Sequence, residues 1–181
     1  MAYNVVNYAF AGPATLPSGL TEITLTNQGT ELHHQQLIKL LEGMTPGDFF
    51  TLFEQLPPGA PNPPGIESAG VVGVIAPGGS GTATLDLDPG NYMMLCFVPN
   101  AEGIPHVALG MALPLTVDQS PGPAAAEPVA TVSIDLLEFG FNLSAQITGG
   151  TQVIEATNTG AQDHEFLVVQ LEPRGNDRRI L

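Results

Sequence analysis

The sequence has 181 residues, of which 43% are hydrophobic, and its mean hydropathy is +0.17, so a packed core is expected and global disorder is excluded. Only 4 Lys and Arg stand against 18 Asp and Glu, and the resulting net charge of −14 excludes a nucleic-acid-binding surface. No apolar run approaches the roughly 20 residues of a membrane helix, which excludes a membrane span.

Short hydrophobic segments separated by Gly and Pro predict an all-β protein. Segments in which hydrophobic and polar residues alternate are typical of half-buried antiparallel strands, whereas continuous hydrophobic runs indicate more fully buried strands. A strand-like segment covers residues 3–10, the alternating segments are residues 20–26, 81–88 and 131–136, and the continuous runs are residues 71–76 and 92–98. This pattern predicts a β-sandwich.

One segment of the sequence has the signals of a helix. Thr45 is suited to the N-cap, Pro46 to the first helical position and Asp48 to the first turn. A hydrophobic stretch follows these residues, and Pro57 ends it. We therefore expect one short inserted helix at residues 45–56.

Changes in composition divide the chain into a first domain at residues 1–118, a Pro- and Ala-rich linker at 119–128 and a second part at 129–181. No basic stretch followed by an apolar one occurs at the start, so we expect no signal peptide within this chain. The composition turns basic after Glu172, which suggests the hypothesis of a truncated or frame-shifted reading frame.

The second part has the pattern of an incomplete β repeat of the first. Residues 3–40 align with residues 134–171 without a gap. The copy ends before counterparts of the helix and of Cys96, so it would expose sheet edges and is expected to pack on the first domain or to form a homo-oligomer. The identities that support the repeat include Asn27 with Asn158, Gly29 with Gly160 and His33 with His164.

Four side chains of the first domain have the chemistry of a metal site. His33 follows a turn, Cys96 ends a predicted strand, and His106 and Met111 lie downstream. Two imidazoles, a thiolate and a thioether are the donors of a trigonal copper site with a weak axial Met. Sulfur favours Cu⁺ and imidazole suits both oxidation states, so we expect copper as the cofactor. Cys96 is the only cysteine, which excludes an intramolecular disulfide.

At these residues the chain resembles the cupredoxins, the family of blue-copper β-sandwiches. Asn27 and His33 match the family motif of an Asn followed by the first His ligand, and Cys96, His106 and Met111 match the second motif. The resemblance implies a Greek-key sandwich, a His₂CysMet copper site, electron transfer, and a periplasmic or extracellular location. The chain departs from the family pattern in two places: it has a long insertion at residues 41–80 and an enlarged ligand loop between Cys96 and His106.

Several of these residues also have simpler interpretations. His34 would point away from His33 on a strand and is expected to face solvent or to support the site from outside. Cys96 and Met111 are each typical core residues when considered alone. His164 has no Cys or Met partner in its own part of the chain, which favours a structural role.

The resemblance leaves two functions open. The first is copper binding with electron transfer to a redox partner that has a basic surface, which the acidic charge would attract. The alternative is a metal-free structural or assembly module that uses its acidic surface and the incomplete repeat for protein contacts. An enzyme is not expected, since the sequence has no hydrolase triad signature, zinc-protease motif or phosphate-binding loop.

Overall fold

The computed structural model describes residues 1–41, 43–55, 64–120 and 125–162, together with His164, Phe166 and Val168. The chain forms two compact units, Met1–Ala126 and Glu127–Leu181.

The described residues of the first unit form two β-sheets and one α-helix. Its strands are β1 (Ala2–Val6), β2 (Ala9–Ala11), β3 (Thr15–Pro17), β4 (Gly19–Asn27), β5 (His33–Leu40), β6 (Ile66–Ile75), β7 (Ser80–Leu87), β8 (Gly90–Leu95) and β9 (Ala112–Asp118). The helix α1 (Pro46–Gln55) follows β5, and a short 3-10 helix (His106–Leu109) precedes β9. One sheet has the order β2-β1-β4-β7 and the other β3-β9-β8-β5-β6.

The core lies between the two sheets, because both contribute an inward-facing row of alternating side chains. Ile23 and Leu25 from β4 belong to the same buried cluster as Leu37 from β5 and Met94 from β8. The predicted all-β sandwich is therefore confirmed. No helix among the described residues is long and apolar enough to cross a membrane.

Helix α1 covers the outer face of the five-stranded sheet. Phe49 of α1 packs in a second buried cluster with Ile38 of β5 and with Met93 and Leu95 of β8. Both faces of β8 are therefore covered, which explains its continuous hydrophobic run. The predicted capping residues also form the start of α1, since the Asp48 amide donates to Thr45 Oγ1 (3.2 Å). The predicted end at Pro57 lies outside the described residues.

Two strand predictions need correction. Residues 71–76 are not fully buried, because β6 is the edge strand of its sheet and Val74 is 54% exposed. Residues 3–10 are not one strand, because the chain turns between β1 and β2 at Asn7, which has a φ of 52°. Asn tolerates this left-handed conformation better than most residues do.

The described residues of the second unit form the strands β10 (Val132–Leu137), β11 (Gly140–Leu143) and β12 (Ile154–Asn158), in the order β11-β10-β12. The central strand β10 is antiparallel to β11 and parallel to β12, as β1 is to β2 and β4. The registers also correspond at the spacing of the sequence alignment: Asn4 faces Ala11 and Tyr3 faces Leu25, while Asp135 faces Asn142 and Ile134 faces Ala156.

Candidate metal centre

The four predicted site residues lie at the ends of neighbouring strands. His33 begins β5, Cys96 follows β8, His106 begins the 3-10 helix and Met111 immediately precedes β9. Because β8 is antiparallel to both β5 and β9, the start of β5, the end of β8 and the start of β9 meet at one pole of the first unit. The topology thus brings together residues that are far apart in sequence.

Three donor atoms converge at this pole. Cys96 Sγ lies 3.5 Å from His106 Nδ1 and 4.0 Å from His33 Nδ1, and the two Nδ1 atoms are 3.1 Å apart. All three residues have no exposed surface. The point equidistant from the three atoms falls inside their triangle at about 2.1 Å from each. This distance equals a metal–nitrogen bond and is slightly shorter than a metal–sulfur bond of about 2.3 Å. The donor triangle therefore fits a trigonal metal ion.

Met111 is also held at this pole. Its amide donates to the His106 carbonyl (2.9 Å), and its own carbonyl accepts from the Cys96 amide (3.3 Å). The side chain is fully buried in the same cluster as Cys96. A thioether in the same buried cluster as the Cys96 thiol would supply the weak fourth donor of the set that suits copper.

The enlarged loop between Cys96 and His106 does not separate the two donors, because a bridge between Pro99 and Pro105 closes it at its base. Next to this bridge, the His106 amide donates to the Val98 carbonyl (2.9 Å). Residues 100–104 form a separate turn beyond the bridge, in which Asn100 Oδ1 accepts from the amides of residues 102 and 104. The extra residues are therefore looped out and His106 is returned to the end of β8.

Asn27 fixes the turn that carries His33. Its fully buried side chain donates to the carbonyls of Glu31 (2.8 Å) and Ile75 (2.9 Å) and accepts from the Gly29 amide (2.9 Å). The first two contacts join the turn to the end of β6, and the third closes an Asx turn. The spacing from Asn27 to His33 therefore has a structural reason, because the Asn27 side chain holds the backbone that positions the His33 imidazole.

Cys96 is a buried thiol with a backbone donor. Burial raises its pKa, while hydrogen bonds from the backbone of His34 and Val98 act in the opposite direction. The His34 amide lies 3.5 Å from Sγ. A metal ion would replace the thiol proton and stabilise the thiolate in this site.

The His33 imidazole favours its neutral, metal-binding form. Burial lowers its pKa, and the neighbouring His106 lowers it further. Its Nε2 atom has no hydrogen-bond partner among the described residues, and a Cβ on Gly29 would lie only 3.1 Å from it. The other ring nitrogen, Nδ1, faces the other two donors, at 3.1 Å from His106 Nδ1 and 4.0 Å from Cys96 Sγ.

The structure places His34 outside the donor triangle. His34 points its ring at the backbone, where Nε2 accepts from the Phe97 amide (2.7 Å), so it supports the segment that follows Cys96. His164 belongs to the second unit. Among the described residues, only one group of three or more His, Cys, Asp or Glu side chains is close enough together to hold a metal ion. It consists of His33, Cys96 and His106.

Two residues beside His106 were not predicted from the sequence. Glu31 Oε2 lies 2.9 Å from His106 Nε2, and the Tyr8 ring packs against the imidazole with centroids 5.0 Å apart. Glu31 lies between Asn27 and His33, but nothing local in the sequence pairs it with a residue on a different loop. Tyr8 follows the turn at Asn7, which the strand-like sequence of residues 3–10 did not predict.

No protein-family model matches the chain, and no curated protein matches it significantly. The chain is similar to several solved structures over about two thirds of its length. Dithionite-reduced auracyanin from Roseiflexus castenholzii is 25% identical over 65% of this chain and 94% of its own, with a TM-score of 0.45. Auracyanin A, a blue copper protein from Chloroflexus aurantiacus, is 16% identical over 65% of this chain and 97% of its own, with a TM-score of 0.42.

A third similar structure is an azurin from Methylomonas sp. strain J, at 10% identity over 66% of this chain and 96% of its own, with a TM-score of 0.42. The two imidazoles, the thiol and the thioether at one pole of the first unit fit a blue-copper site. The chain resembles the cupredoxins.

Proposed function

We propose that this protein binds copper through His33 Nδ1, Cys96 Sγ, His106 Nδ1 and the Met111 sulfur and carries single electrons. The observation that supports this is the donor triangle, whose sides of 3.1, 3.5 and 4.0 Å fit one metal ion. Copper in such a site would supply a one-electron couple between Cu²⁺ and Cu⁺.

The residues around the triangle suit electron transfer better than substrate chemistry. His33, Cys96, His106 and Met111 are fully buried, which excludes water and leaves no open position for a substrate. Cys96, His106 and Met111 are linked to one another by backbone hydrogen bonds, and His33 begins β5. A frame of this kind holds the same geometry in both oxidation states, so we propose an electron carrier rather than an enzyme.

We also propose that the protein works in the periplasm or outside the cell and exchanges electrons with a partner that has a basic surface. The net charge of −14 would attract such a partner and increase the association rate at low ionic strength. The copper site and the cupredoxin resemblance support the location.

The second unit is proposed to be an incomplete repeat of the first and to take part in protein contacts. The shared registers of β1 and β10 support the repeat. Its exposed apolar side chains support the contacts, since Phe139 is fully exposed and Phe141 and Leu143 are 56% and 45% exposed. A homo-oligomer is the contact we expect, and the mass of the protein in solution tests it.

The copper proposal is tested by adding Cu²⁺ to the metal-free protein and measuring the visible spectrum together with the bound metal. One copper per chain and an intense Cu²⁺–thiolate band are expected. Cys96→Ser should abolish the band. A protein that binds no copper and stays colourless would contradict the proposal and leave the metal-free assembly module as the better interpretation.

A further inference from the structure

His106 and Glu31 form a contact that the donor triangle does not require. Glu31 Oε2 lies 2.9 Å from His106 Nε2, although the two groups are not aligned as a regular hydrogen bond, and neither atom has another partner among the described residues. The His106 ring is fully buried, whereas the Glu31 side chain is 37% exposed. The carboxylate therefore approaches the imidazole from the solvent side, on the ring edge opposite the triangle.

This contact selects between the two neutral forms of His106. A neutral imidazole carries one proton, on either Nδ1 or Nε2, and the other nitrogen has a lone pair. A carboxylate can only accept, so it favours the proton on Nε2. The lone pair then lies on Nδ1, the atom that faces Cys96 Sγ at 3.5 Å.

The backbone of Glu31 is held independently of its carboxylate. Asn27 Nδ2 donates to the Glu31 carbonyl (2.8 Å), which fixes where the side chain begins. The corresponding turn of the second unit has the same contact, with Asn158 Nδ2 donating to the Gln162 carbonyl (2.7 Å). A turn with Gln at this position thus closes in the same way. The negative charge of Glu31 is not needed to close the turn.

Tyr8 restrains the same imidazole from another side. Its ring lies against the His106 ring at an interplanar angle of 56° and offers an aromatic surface to it. Among the described residues, Glu31 is the only carboxylate within 4.0 Å of this histidine. The orientation of the ring can thus be attributed to packing, which leaves the position of its proton as the property that Glu31 can determine.

We propose that Glu31 is a positioning residue that keeps the proton of His106 on Nε2 and, through its charge, makes this ligand a stronger donor to Cu²⁺. The inference rests on the proposed copper site and extends it by one residue. Carboxylates that accept from the outer nitrogen of a histidine ligand raise the basicity of that ligand, and their loss typically lowers metal affinity by about 10- to 100-fold. A doubly charged ion gains more from the added charge than a singly charged one does.

The first experiment uses the metal-free full chain, labelled with ¹⁵N, at about pH 8, where free histidine is neutral. Long-range ¹H–¹⁵N spectra report which nitrogen of His106 carries the proton. We expect the Nε2–H form in the wild type and in Glu31→Gln, whose amide oxygen can still accept, and a mixture of both forms in Glu31→Ala. An unchanged Nε2–H form in Glu31→Ala would overturn the positioning role.

The second experiment measures the affinities for Cu²⁺ and Cu⁺ separately, by competition with chelators. Glu31→Gln should lower the Cu²⁺ affinity about tenfold and the Cu⁺ affinity less, since it removes the charge and retains the acceptor. Glu102→Gln is the matched control, because it removes a charge from an exposed residue of the ligand loop and should leave both affinities at the wild-type value. Equal affinities for the wild type and Glu31→Gln would overturn the proposed effect of the charge.

The two experiments separate failure of this inference from failure of the copper proposal. If the wild type binds no copper, the proposed function is wrong, yet the proton position in Glu31→Ala still decides whether Glu31 positions His106. If the wild type binds copper and both Glu31 variants behave as Glu102→Gln does, the copper site stands and the role of Glu31 is refuted.

Discussion

The His34 backbone contacts Cys96, and the His34 side chain contacts Phe97, the residue that follows Cys96. Its amide lies 3.5 Å from Cys96 Sγ, and its Nε2 accepts from the Phe97 amide at 2.7 Å. His34 therefore supports both the sulfur of Cys96 and the backbone of the segment that follows Cys96. The two contacts can be separated by mutation, because only the second needs the imidazole.

His34→Ala should keep the Cu²⁺–thiolate band nearly unchanged and lower the free energy of unfolding by about 1–3 kcal/mol, because the Phe97 amide loses its acceptor. The spectrum of the copper-loaded variant and a urea titration measure the two effects. His34→Gln is the matched control, since its amide oxygen can replace Nε2 as the acceptor. A variant that loses the band but keeps its stability would show that the ring itself acts in the site.

Asn27→Ala should destabilise the first unit by roughly 2–4 kcal/mol and weaken copper binding, because it removes three hydrogen bonds from a fully buried side chain. Urea titration and chelator competition measure the changes. The control is Asn158→Ala, which removes the corresponding contacts from an exposed residue of the second unit and should have an effect below about 1 kcal/mol. Similar losses in both variants would contradict the role given to Asn27.

Gly29→Ala tests the close approach of the turn to His33. A Cβ at this position would lie 3.1 Å from His33 Nε2 and 3.1 Å from the Asn7 amide nitrogen, so one of these neighbours must move. We expect weaker Cu²⁺ binding and a loss of about 1–2 kcal/mol of stability. Gly140→Ala should be neutral, because a Cβ there has no neighbour within 4 Å. Wild-type copper affinity in Gly29→Ala would show that the ring has room to shift.

Because of Tyr3, the free energy of unfolding is expected to depend on pH in the alkaline range. Burial raises its pKa to about 12, and its hydroxyl donates to the Pro13 carbonyl at 2.8 Å. Between pH 10 and about 12 the unfolded chain loses a phenolic proton that the folded chain keeps, so the free energy of unfolding falls as the pH rises. The shift of about two units corresponds to roughly 3 kcal/mol.

Tyr3→Phe should reduce this pH dependence, since it removes the ionising group from both states. Urea titrations of the wild type and the variant at about pH 8 and pH 11.5 measure it, and the variant should lose less stability between the two values. Loss of the hydrogen bond should make the variant about 1 kcal/mol less stable at pH 8. Parallel losses in the two proteins would assign the alkaline instability to other groups.

The sequence could predict what depends on local pattern and residue chemistry. Alternation located β4 and β7, the signals at Thr45 located α1, and the order of His33, Cys96, His106 and Met111 indicated residues that the fold brings to one pole. The predictions of strands and helix succeed because strand periodicity and capping signals are local properties.

The features that the sequence did not reveal depend on neighbours in space. Whether a hydrophobic run is central or at an edge is set by sheet order, so the exposure of Val74 could not be read from residues 71–76. The contact of Glu31 with His106 joins two loops whose approach is decided by the sandwich. The turn at Asn7 interrupts a segment whose composition is strand-like throughout.

The bridge between Pro99 and Pro105 makes loop length and donor geometry independent of each other. The chain positions Cys96 and His106 through contacts at the base, where the Val107 amide also donates to the Cys96 carbonyl (2.8 Å). We therefore expect changes in the length or sequence of residues 100–104 to leave the sulfur and the imidazole in place. In evolution or in engineering, this segment is a place where a new recognition sequence could be presented a few residues from an intact redox centre.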